Sequence, residues 1–479
     1  MAFSWLSFVS ILSLILNCYG ISRWDVFSTK TKYEWAHSTT ANIDEYFTFT
    51  DGSKMCKAVH VNMVTRHGAR WPSEDDMEDI KEIHERIIES KQSNVYPALD
   101  SWIPRYEESN EKQLTVEGQK EQQELGARLG LRLKTLFENN GQYIKYVSSS
   151  KSRTKNSNVF FHKGLLTNIS TLAEYSNEVN DALMRFFDEC DNYEESMESD
   201  DNIEELIEFS KSLIFANITA SLKEKLGISF NPSEDEIILI NELCAHEKAI
   251  FNEESVWCEL LTDNERIFLE FRNDIEKYFE SSYGNRISSK ISCPLLGDMF
   301  HTMDKAINQE WDYNNMRDVS SNGYLAGKFY NGHSDTLIPL MTSLEIFKDD
   351  VDLLLSNMEA LVNRKFQTSK ICPYSANLAF VLYVCDDSNS TNSNSTITTD
   401  RSFMLKMFVN EQPISIPACK ADTCLYDTVR QYYSDLIDKC DIKAFCDDDD
   451  DCDDGTCGAS SLGVSLIFVH LMALILRLL

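Results

Sequence analysis

The residues with the clearest chemical potential lie in the run R-H-G-A-R-W-P, which extends from Arg66 to Pro72. Arginine presents a planar fork of donors that can bind two phosphate oxygens at once. An imidazole held between such arginines, as His67 is between Arg66 and Arg70, can attack phosphorus and take up the phosphoryl group. Gly68 has no side chain, so the backbone can come close to a neighbouring group. The run therefore indicates phosphoryl-transfer chemistry, although R-H-G alone would favour an ordinary surface loop.

A second group of polar residues is His333-Ser334-Asp335, which follows a strand-like run at 328–331. By itself, a tripeptide of this kind is most often an ordinary loop. The functional interpretation of this tripeptide depends on the strand before it and on the run from Arg66 to Pro72. Residues that follow different strands can meet at one edge of a sheet.

A basic segment surrounds Arg153, with no acidic residue at 141–168. Its lysines are Lys145, Lys151, Lys155 and Lys163. One interpretation is a solvated basic loop. The other is a local positive funnel for a polyphosphorylated substrate, which Lys151 and Lys155 would contact.

The candidate residues must be positioned by strands and helices that the sequence also predicts. Short apolar runs rich in β-branched residues predict buried strands. They lie at 57–64, 142–147, 326–330, 379–384 and 403–409. Ser73 can cap a helix with Asp76 as its capping-box partner, and a second helix is predicted over 116–137.

The alternation of strands and helices predicts an α/β fold with a mixed, largely parallel sheet flanked by helices. The pattern at 156–316 is almost wholly helical, which predicts an inserted α-helical domain. The α/β domain would then comprise residues 21–155 and 317–445. The acidic segment 446–461 predicts an extended, self-repelling stalk. A calcium site is the sharper alternative there, and the missing Gly and Glu of an EF-hand loop disfavour it.

Both ends of the chain resemble processing signals. Residues 1–20 contain an apolar stretch without a charged residue and predict a secretory signal peptide. Residues 462–479 are mostly apolar and follow small residues, which predicts a tail that is removed on addition of a GPI anchor at the extracellular face of the cell membrane. A transmembrane helix is the alternative, and His470 and Arg477 within the run disfavour it.

Composition sets further limits on function. The 479 residues include 45 Lys+Arg and 77 Asp+Glu, and the formal net charge of −32 argues against nucleic-acid binding. One of the 14 cysteines lies in the predicted signal, and the remaining 13 should pair in an oxidising compartment. Because 13 is odd, one of them is free, forms an intermolecular disulfide or is removed with the tail. Their spacing does not indicate a zinc site. Four sequons predict N-glycosylation, at Asn168, Asn217, Asn389 and Asn394.

On the residues described above, the sequence resembles the histidine acid phosphatase family over most of the chain from about Cys56 to Cys440. Within that family it is most similar to the multiple inositol polyphosphate phosphatases, which are phytase-like secretory enzymes. The similarity is strongest at 65–72, 114–129, 148–165 and 332–337. The resemblance implies the histidine phosphatase fold, which is similar to that of phosphoglycerate mutase.

The resemblance implies that the protein hydrolyses phosphomonoesters, preferentially inositol polyphosphates, without a metal or another cofactor. His67 would be the nucleophile and would form a phosphohistidine. Asp335 would protonate the leaving group and then activate water. The residues that would bind the phosphate are Arg66, Arg70, Arg153 and His333.

The second polar group departs from the pattern of the resembled enzymes. They typically have His-x-Glu where this chain has His333 and Asp335, whose side chain is one methylene shorter. Two alternatives to an inositol polyphosphate phosphatase stay open, and the second would follow if Asp335 cannot reach the leaving group. One is a broad-specificity acid phosphatase for small phosphate esters, and the other is a catalytically impaired surface protein that binds phosphorylated ligands or a partner. The predicted signal peptide and sequons disfavour an intracellular mutase.

The resemblance also implies a set of disulfides. They are Cys56–Cys385, Cys190–Cys440, Cys244–Cys258 and Cys419–Cys424. A further pair, Cys293–Cys372, is a hypothesis for two of the remaining cysteines. Cys446, Cys452 and Cys457 have no assigned partner.

Overall fold

A computed structural model describes residues 26–37, 48–52, 54–140, 143–197, 200–253, 255–308, 325–387 and 402–446. The predicted signal peptide, the apolar tail and nearly all of the acidic stalk lie outside these ranges, as do Asn389, Asn394, Cys452 and Cys457. Within the ranges, none of the helices has the length and apolar character needed to cross a bilayer.

The described strands form one mixed sheet. They are β1 (Thr48–Asp51), β2 (Lys54–Arg66), β3 (Ile144–Ser148), β4 (Asn177–Val179), β5 (Gly327–Gly332), β6 (Asn377–Asp387), β7 (Ser402–Val409), β8 (Gln412–Ile414) and β9 (Thr423–Leu425). The order across the sheet is β4-β3-β5-β2-β6-β7-β8, with β1 paired to β2 and β9 paired to β7. All five predicted strands are present with small shifts at their ends.

Strand β2 lies at the centre of the sheet and is buried from Ala58 onward because both of its faces are covered. It pairs parallel with β5, which in turn pairs parallel with β3. On its other side it pairs antiparallel with β6, and β6 pairs antiparallel with β7. The predicted mixed sheet flanked by helices is confirmed, and its parallel part is the β4-β3-β5-β2 half.

Helices cover both faces of the sheet and form a separate helical layer. They are α1 (Tyr33–Ala36), α2 (Glu74–Ser90), α3 (Val116–Arg132), α4 (Lys134–Asn140), α5 (Ser152–Leu166), α6 (Asp181–Met184), α7 (Asp191–Met197), α8 (Asp200–Ser210), α9 (Leu213–Leu226), α10 (Glu234–Phe251), α11 (Asp263–Ser281), α12 (Cys293–Asn308), α13 (Ser334–Ser343), α14 (Thr368–Ile371), α15 (Tyr426–Tyr432), α16 (Ser434–Asp438) and α17 (Lys443–Cys446).

One of two helix predictions is confirmed and the other is wrong in part. The capping box between Ser73 and Asp76 is present at the start of α2, so this prediction is confirmed. The single helix predicted over 116–137 is instead two, because Leu133 leaves the helical conformation with φ −115° and ψ 26°. The break is compatible with packing, since Leu133 and the following Leu136 and Phe137 are all buried in one core cluster.

Alternating side chains of the central strands divide between two cores. Val64 and Tyr330 belong to the cluster that includes α12 and α13. Met63 and Phe329 belong to the cluster that includes α3, α4 and α5. Because neighbouring side chains of a strand point to opposite faces, the two clusters lie on opposite sides of the sheet. A third cluster joins α2, α9, α10 and α11 away from the strands.

The region predicted to be an inserted helical domain consists mainly of helices, but it also contributes β4 to the sheet edge. This strand pairs parallel with β3 through Tyr146 and Asn177. Residues 26–446 are described as a single compact unit. The boundaries at 155/156 and 316/317 stay predictions.

Two of the predicted disulfides are wrong. The structure pairs Cys190 with Cys446 and Cys293 with Cys440, and it leaves Cys372 as a buried free thiol. The reason is helix packing at the end of the described chain, where α16 lies on α12 and α17 lies on α7. This packing brings the paired Cα atoms to 4.6 and 5.7 Å, distances that a disulfide can span. The other three pairs are present as expected, at Cys56–Cys385, Cys244–Cys258 and Cys419–Cys424.

The two described sequons differ in exposure. Asn217 is exposed on α9. Asn168 is half-buried, and its Nδ2 atom donates to the carbonyl oxygen of Ala127 at 2.9 Å. N-glycosylation at both positions stays a prediction.

Helices α3 and α5 touch through glycines, which generates a stability prediction. A Cβ atom at Gly126 would lie 2.1 Å from the carbonyl oxygen of Phe161, whereas at Gly130 the nearest atom would be 3.5 Å away. We expect Gly126→Ala to lower the free energy of unfolding by about 1–3 kcal/mol, because the helices must separate. Gly130→Ala is the matched control and should be neutral or stabilising by up to about 1 kcal/mol. Chemical unfolding checks both, and equal effects would contradict the close-contact explanation.

Candidate functional site

The site forms where three neighbouring parallel strands end. Strand β2 ends at Arg66, opposite Gly332 at the end of β5, and Ser148 at the end of β3 pairs with Asn331. The residues that follow these strands therefore converge at one edge of the sheet. The ring centroids of His67 and His333 are 5.5 Å apart. Two of the groups singled out from the sequence thus meet in one place.

The loop after β2 is held in shape by the first turns of α3. A Cβ atom at Gly68 would lie 2.3 Å from the carbonyl oxygen of Gly118, so neither the loop nor the helix could keep this position with a side chain there. Thr115 donates through Oγ1 to the carbonyl oxygen of Ala69 at 2.9 Å. Gln122 donates through Nε2 to the carbonyl oxygen of Arg66 at 2.8 Å. The close backbone approach expected at Gly68 is therefore made by helix α3.

His67 is 3% exposed and is held as a neutral imidazole. Burial and the positive charges of Arg153 and Arg66 hold its pKa well below the usual value. Its Nδ1 atom lies 2.8 Å from the carbonyl oxygen of Gly68, an acceptor that requires the proton on Nδ1. The lone pair of the ring is therefore on Nε2, the nitrogen available for attack.

Arg66 is fixed by backbone carbonyls. Its Nη1 atom donates to the carbonyl oxygens of Thr29, at 2.5 Å, and Cys372, at 2.8 Å. Its guanidinium carbon lies 4.7 Å from the centroid of the Tyr374 ring. Its Nε atom is buried and has no hydrogen-bond partner among the described residues. A buried donor without a partner, held beside an imidazole, fits an anionic ligand.

Arg153 and Arg70 add positive charge to the same place. Arg153 lies in the first turn of α5, and its buried Nε atom likewise has no partner within the described ranges. Burial, together with the charges of Arg70 and Arg66, lowers the pKa of Arg153 to about 10. Arg70 is half-buried and donates from Nη1 to the carbonyl oxygen of Trp71 at 2.8 Å. The three arginines are close enough to repel one another, which favours binding of an anion among them.

His333 and Asp335 lie at the start of α13, with His333 as its N-cap residue and Asp335 in its first turn. Ser334 donates through Oγ to Oδ2 of Asp335 at 3.1 Å. Burial by itself would raise the pKa of Asp335, but the charge of Lys277, the hydrogen bond from Ser334 and other contacts outweigh it, so the pKa is lowered. Asp335 is therefore an ionised carboxylate when the site is empty.

Lys151 and Lys155 lie at the start of α5 on either side of Arg153. Lys151 is the N-cap residue, and both side chains are exposed. They stand in solvent beside the site, without a described contact to the groups around His67. This placement is compatible with both interpretations of the basic segment.

Two further cations near the site were not found from the sequence. Lys277 on α11 helps to keep Asp335 ionised, and Arg185, which follows α6, lowers the pKa of His333. Lys277 pairs with Glu280, and Arg185 pairs with Asp188. Each therefore looks in the sequence like one half of an ordinary surface ion pair, so no sequence signal distinguishes it.

A cleft elsewhere has the opposite charge. It has a volume of about 650 Å³ and lies between α2, α10 and α11. Its acidic lining residues are Asp76, Asp79, Glu82, Asp235, Glu236, Glu242 and Glu276. A polyanion would be repelled there, so the cluster of arginines at the sheet edge is the place that suits a phosphate. In the described part of the chain, no group of three or more His, Cys, Asp or Glu residues could hold a metal ion.

The parallel strands of this mixed sheet end where two histidines meet among three arginines. This arrangement defines a class of α/β protein that can hold an oxyanion against an imidazole. The chain belongs to the histidine phosphatase superfamily (branch 2), whose family model matches residues 58–410. This match covers more than half of the chain and includes both histidines and all three arginines.

Comparison with individual proteins agrees with this membership. The chain is 29% identical to multiple inositol polyphosphate phosphatase 1 of Gallus gallus, over 91% of this chain and 96% of that protein. It is 23% identical to thiamine-repressible acid phosphatase pho4 of Schizosaccharomyces pombe, over 77% and 81% of the respective chains. The fold is similar to the crystal structure of Bifidobacterium longum multiple inositol polyphosphate phosphatase in complex with inositol hexasulfate. The TM-score is 0.65 at 14% identity, covering 87% of this chain and 97% of that one.

Proposed function

We propose that this protein is a phosphomonoesterase of the secretory pathway that hydrolyses inositol polyphosphates through a phosphohistidine intermediate. The observation that carries the proposal is the neutral His67, with its lone pair on Nε2, beside the buried Arg66 and the half-buried Arg153, whose buried Nε donors have no partner among the described residues. Such a group can attack phosphorus while the arginines stabilise the charge on the equatorial oxygens.

In the first step, Nε2 of His67 attacks the phosphorus atom and the bond from phosphorus to the ester oxygen breaks. Arg66, Arg70, Arg153 and His333 hold the phosphoryl oxygens. Asp335 gives a proton to the leaving alkoxide. The carboxylate is ionised in the empty site, but a bound phosphate places negative charge beside it and raises its pKa, so the proton arrives with the substrate.

In the second step, Asp335 accepts a proton from a water molecule that attacks the phosphohistidine. The phosphorus–nitrogen bond breaks, inorganic phosphate leaves, and His67 returns to its neutral form. The positive charge that the reaction needs comes from side chains of this chain, because guanidinium groups act on the phosphoryl oxygens directly.

The relative from Gallus gallus is named as an inositol polyphosphate phosphatase, which supports that substrate class. The exposed lysines at the start of α5 would contact the non-reacting phosphates of such a substrate. The relative from Schizosaccharomyces pombe is named as an acid phosphatase, which keeps a broad-specificity enzyme for small phosphate esters as the second candidate.

The proposed location is the extracellular face of the cell membrane, reached through the secretory pathway. Five disulfides among the described residues support an oxidising compartment. The predicted signal peptide, N-glycosylation and GPI anchor belong to this proposal and depend on the sequence alone.

The first prediction about function tests the nucleophile. The purified protein should release inorganic phosphate from phytate, and His67→Ala should reduce the rate by at least about 10³-fold, because the variant lacks the imidazole that forms the covalent intermediate. Rapid quenching of the native enzyme with labelled substrate should trap acid-labile phosphate on protein. Phosphate release that survives His67→Ala would reject the mechanism.

The second prediction tests Asp335 as the proton donor. Asp335→Asn should slow hydrolysis of phytate by about 10²–10⁴-fold, since an alkoxide leaving group needs a proton. The same variant should lose much less activity on p-nitrophenyl phosphate, whose phenolate leaves without one. Equal losses on both substrates would remove Asp335 from this role. Native protein that binds phytate without hydrolysing it would support a catalytically impaired binding protein.

The third prediction tests substrate class. Replacing Lys151 and Lys155 together by Ala should raise the KM for phytate by about tenfold, because attraction of a polyanion by local charge is lost. The KM for p-nitrophenyl phosphate should change little. Lys120→Ala and Lys134→Ala, on α3 and α4, are matched controls that remove exposed lysines elsewhere. Equal changes on both substrates would favour the broad-specificity phosphatase.

A further inference from the structure

His333 is held at both of its ring nitrogens. Its Nδ1 atom lies 3.2 Å from Nη2 of Arg153, and its Nε2 atom lies 2.9 Å from Oγ of Ser149. An arginine can only donate, so Nδ1 accepts this hydrogen bond and carries no proton. The single proton of the neutral ring is therefore on Nε2, where it points to Ser149.

A chain of buried hydroxyl groups agrees with this tautomer. Oγ1 of Thr154 donates to the carbonyl oxygen of Lys151 at 2.8 Å, and a carbonyl cannot donate in return. Thr154 therefore accepts from Oγ of Ser149, 2.8 Å away, which uses the only hydroxyl proton of Ser149. Ser149 must then accept from Nε2 of His333. Both hydroxyl side chains are fully buried, so solvent does not offer Ser149 another arrangement.

We propose that Ser149 is a positioning residue that fixes the proton of His333 on Nε2 and thereby links anion binding to the uptake of a proton. This inference rests on the proposed function, because it assigns a proton to one of the groups that hold the phosphate. Ser149 lies in 148–165, one of the stretches in which the sequence is most similar to the resembled family, and the sequence assigned it no role.

The link follows from what a bound oxyanion requires. When an anion enters, Arg153 turns its Nη2 atom from His333 to an anion oxygen. Nδ1 of His333 then faces that anion with a lone pair, which is repulsive. The proton of His333 cannot move from Nε2 to Nδ1, because Ser149 donates its own hydroxyl proton to Thr154 and has none for a deprotonated Nε2. A proton from solvent therefore binds to Nδ1, and the imidazolium donates at both nitrogens, to Ser149 and to the anion.

The surroundings of His333 set the pH range of this effect. The charged and titratable groups that face it are Arg66, His67, Arg153, Arg185 and Asp335. Burial and the arginines hold the pKa of His333 well below its usual value, although Asp335 acts in the opposite direction. The ring is therefore neutral in the empty site at pH 6. A bound dianion compensates the arginine charges and favours the imidazolium.

Sulfate is a suitable probe because it stays a dianion throughout this pH range. We expect isothermal titration calorimetry at pH 6, in buffers of different ionisation enthalpy, to show proton uptake when sulfate binds to the native protein. Ser149→Ala should take up about one proton fewer, because His333 can then carry its single proton on Nδ1 and donate to sulfate while neutral. His67 and Asp335 are the same in both proteins, so the difference reports on His333.

Ser148→Ala is the matched control. It removes a neighbouring buried hydroxyl that donates to the carbonyl oxygen of Ser149 and does not contact His333, so its proton uptake should equal that of the native protein. Thr154→Val releases the hydroxyl proton of Ser149 to donate to Nε2 of His333 and should also reduce uptake. This second variant keeps the test decisive if Ser149→Ala does not fold.

The outcomes separate the two proposals. Equal proton uptake in native protein, Ser149→Ala and Thr154→Val would overturn the inference even if sulfate binds tightly. A native protein that does not bind sulfate would instead contradict the proposed anion site. In a His333→Asn background, Ser149→Ala should cause no further change in proton uptake, because the group that it positions is absent.

Discussion

The constraint on which the structure depends is the burial of positive charge beside a neutral imidazole. Arg66 is 4% exposed, and no carboxylate in the described ranges forms an ion pair with Arg66 or Arg153. Removing a cation from water costs several kcal/mol unless other groups replace the lost hydration. Here, backbone carbonyls and an aromatic ring replace part of it for Arg66. A paired carboxylate would occupy the donors that an anionic ligand needs.

This constraint explains why distant parts of the chain are needed at one place. The carbonyl oxygen of Thr29 comes from the segment before the first strand, which is anchored where Tyr33 donates to Glu411 at 2.9 Å. Glu411 in turn pairs with Arg128 and Arg132 on α3, the helix whose first turns shape the loop after β2. The segment at the start of the described chain is therefore part of the support of the site.

The sequence allowed prediction of whatever is encoded locally. The run around His67, the strands that precede each site residue and the capping box at Ser73 depend on neighbouring residues, and all are present. Lys277 and Arg185 could not be predicted, because their proximity to Asp335 and His333 arises from the packing of separate helices. The same reason explains the wrong pairing of Cys190, since Cys440 and Cys446 are six residues apart and only the packing of α16 and α17 decides between them. Net charge was a poor guide to the charge of the ligand for a related reason. The value of −32 describes the whole chain, whereas three arginines determine the charge of the site.

The position of the Cys190–Cys446 disulfide has a mechanical consequence. Cys446 is the last described residue, and the acidic segment continues directly from it. The disulfide would transmit a pulling force on that segment from Cys446 to Cys190, the residue before α7. The force would therefore bypass the C-terminal helices and would not unfold α15, α16 and α17 one after another.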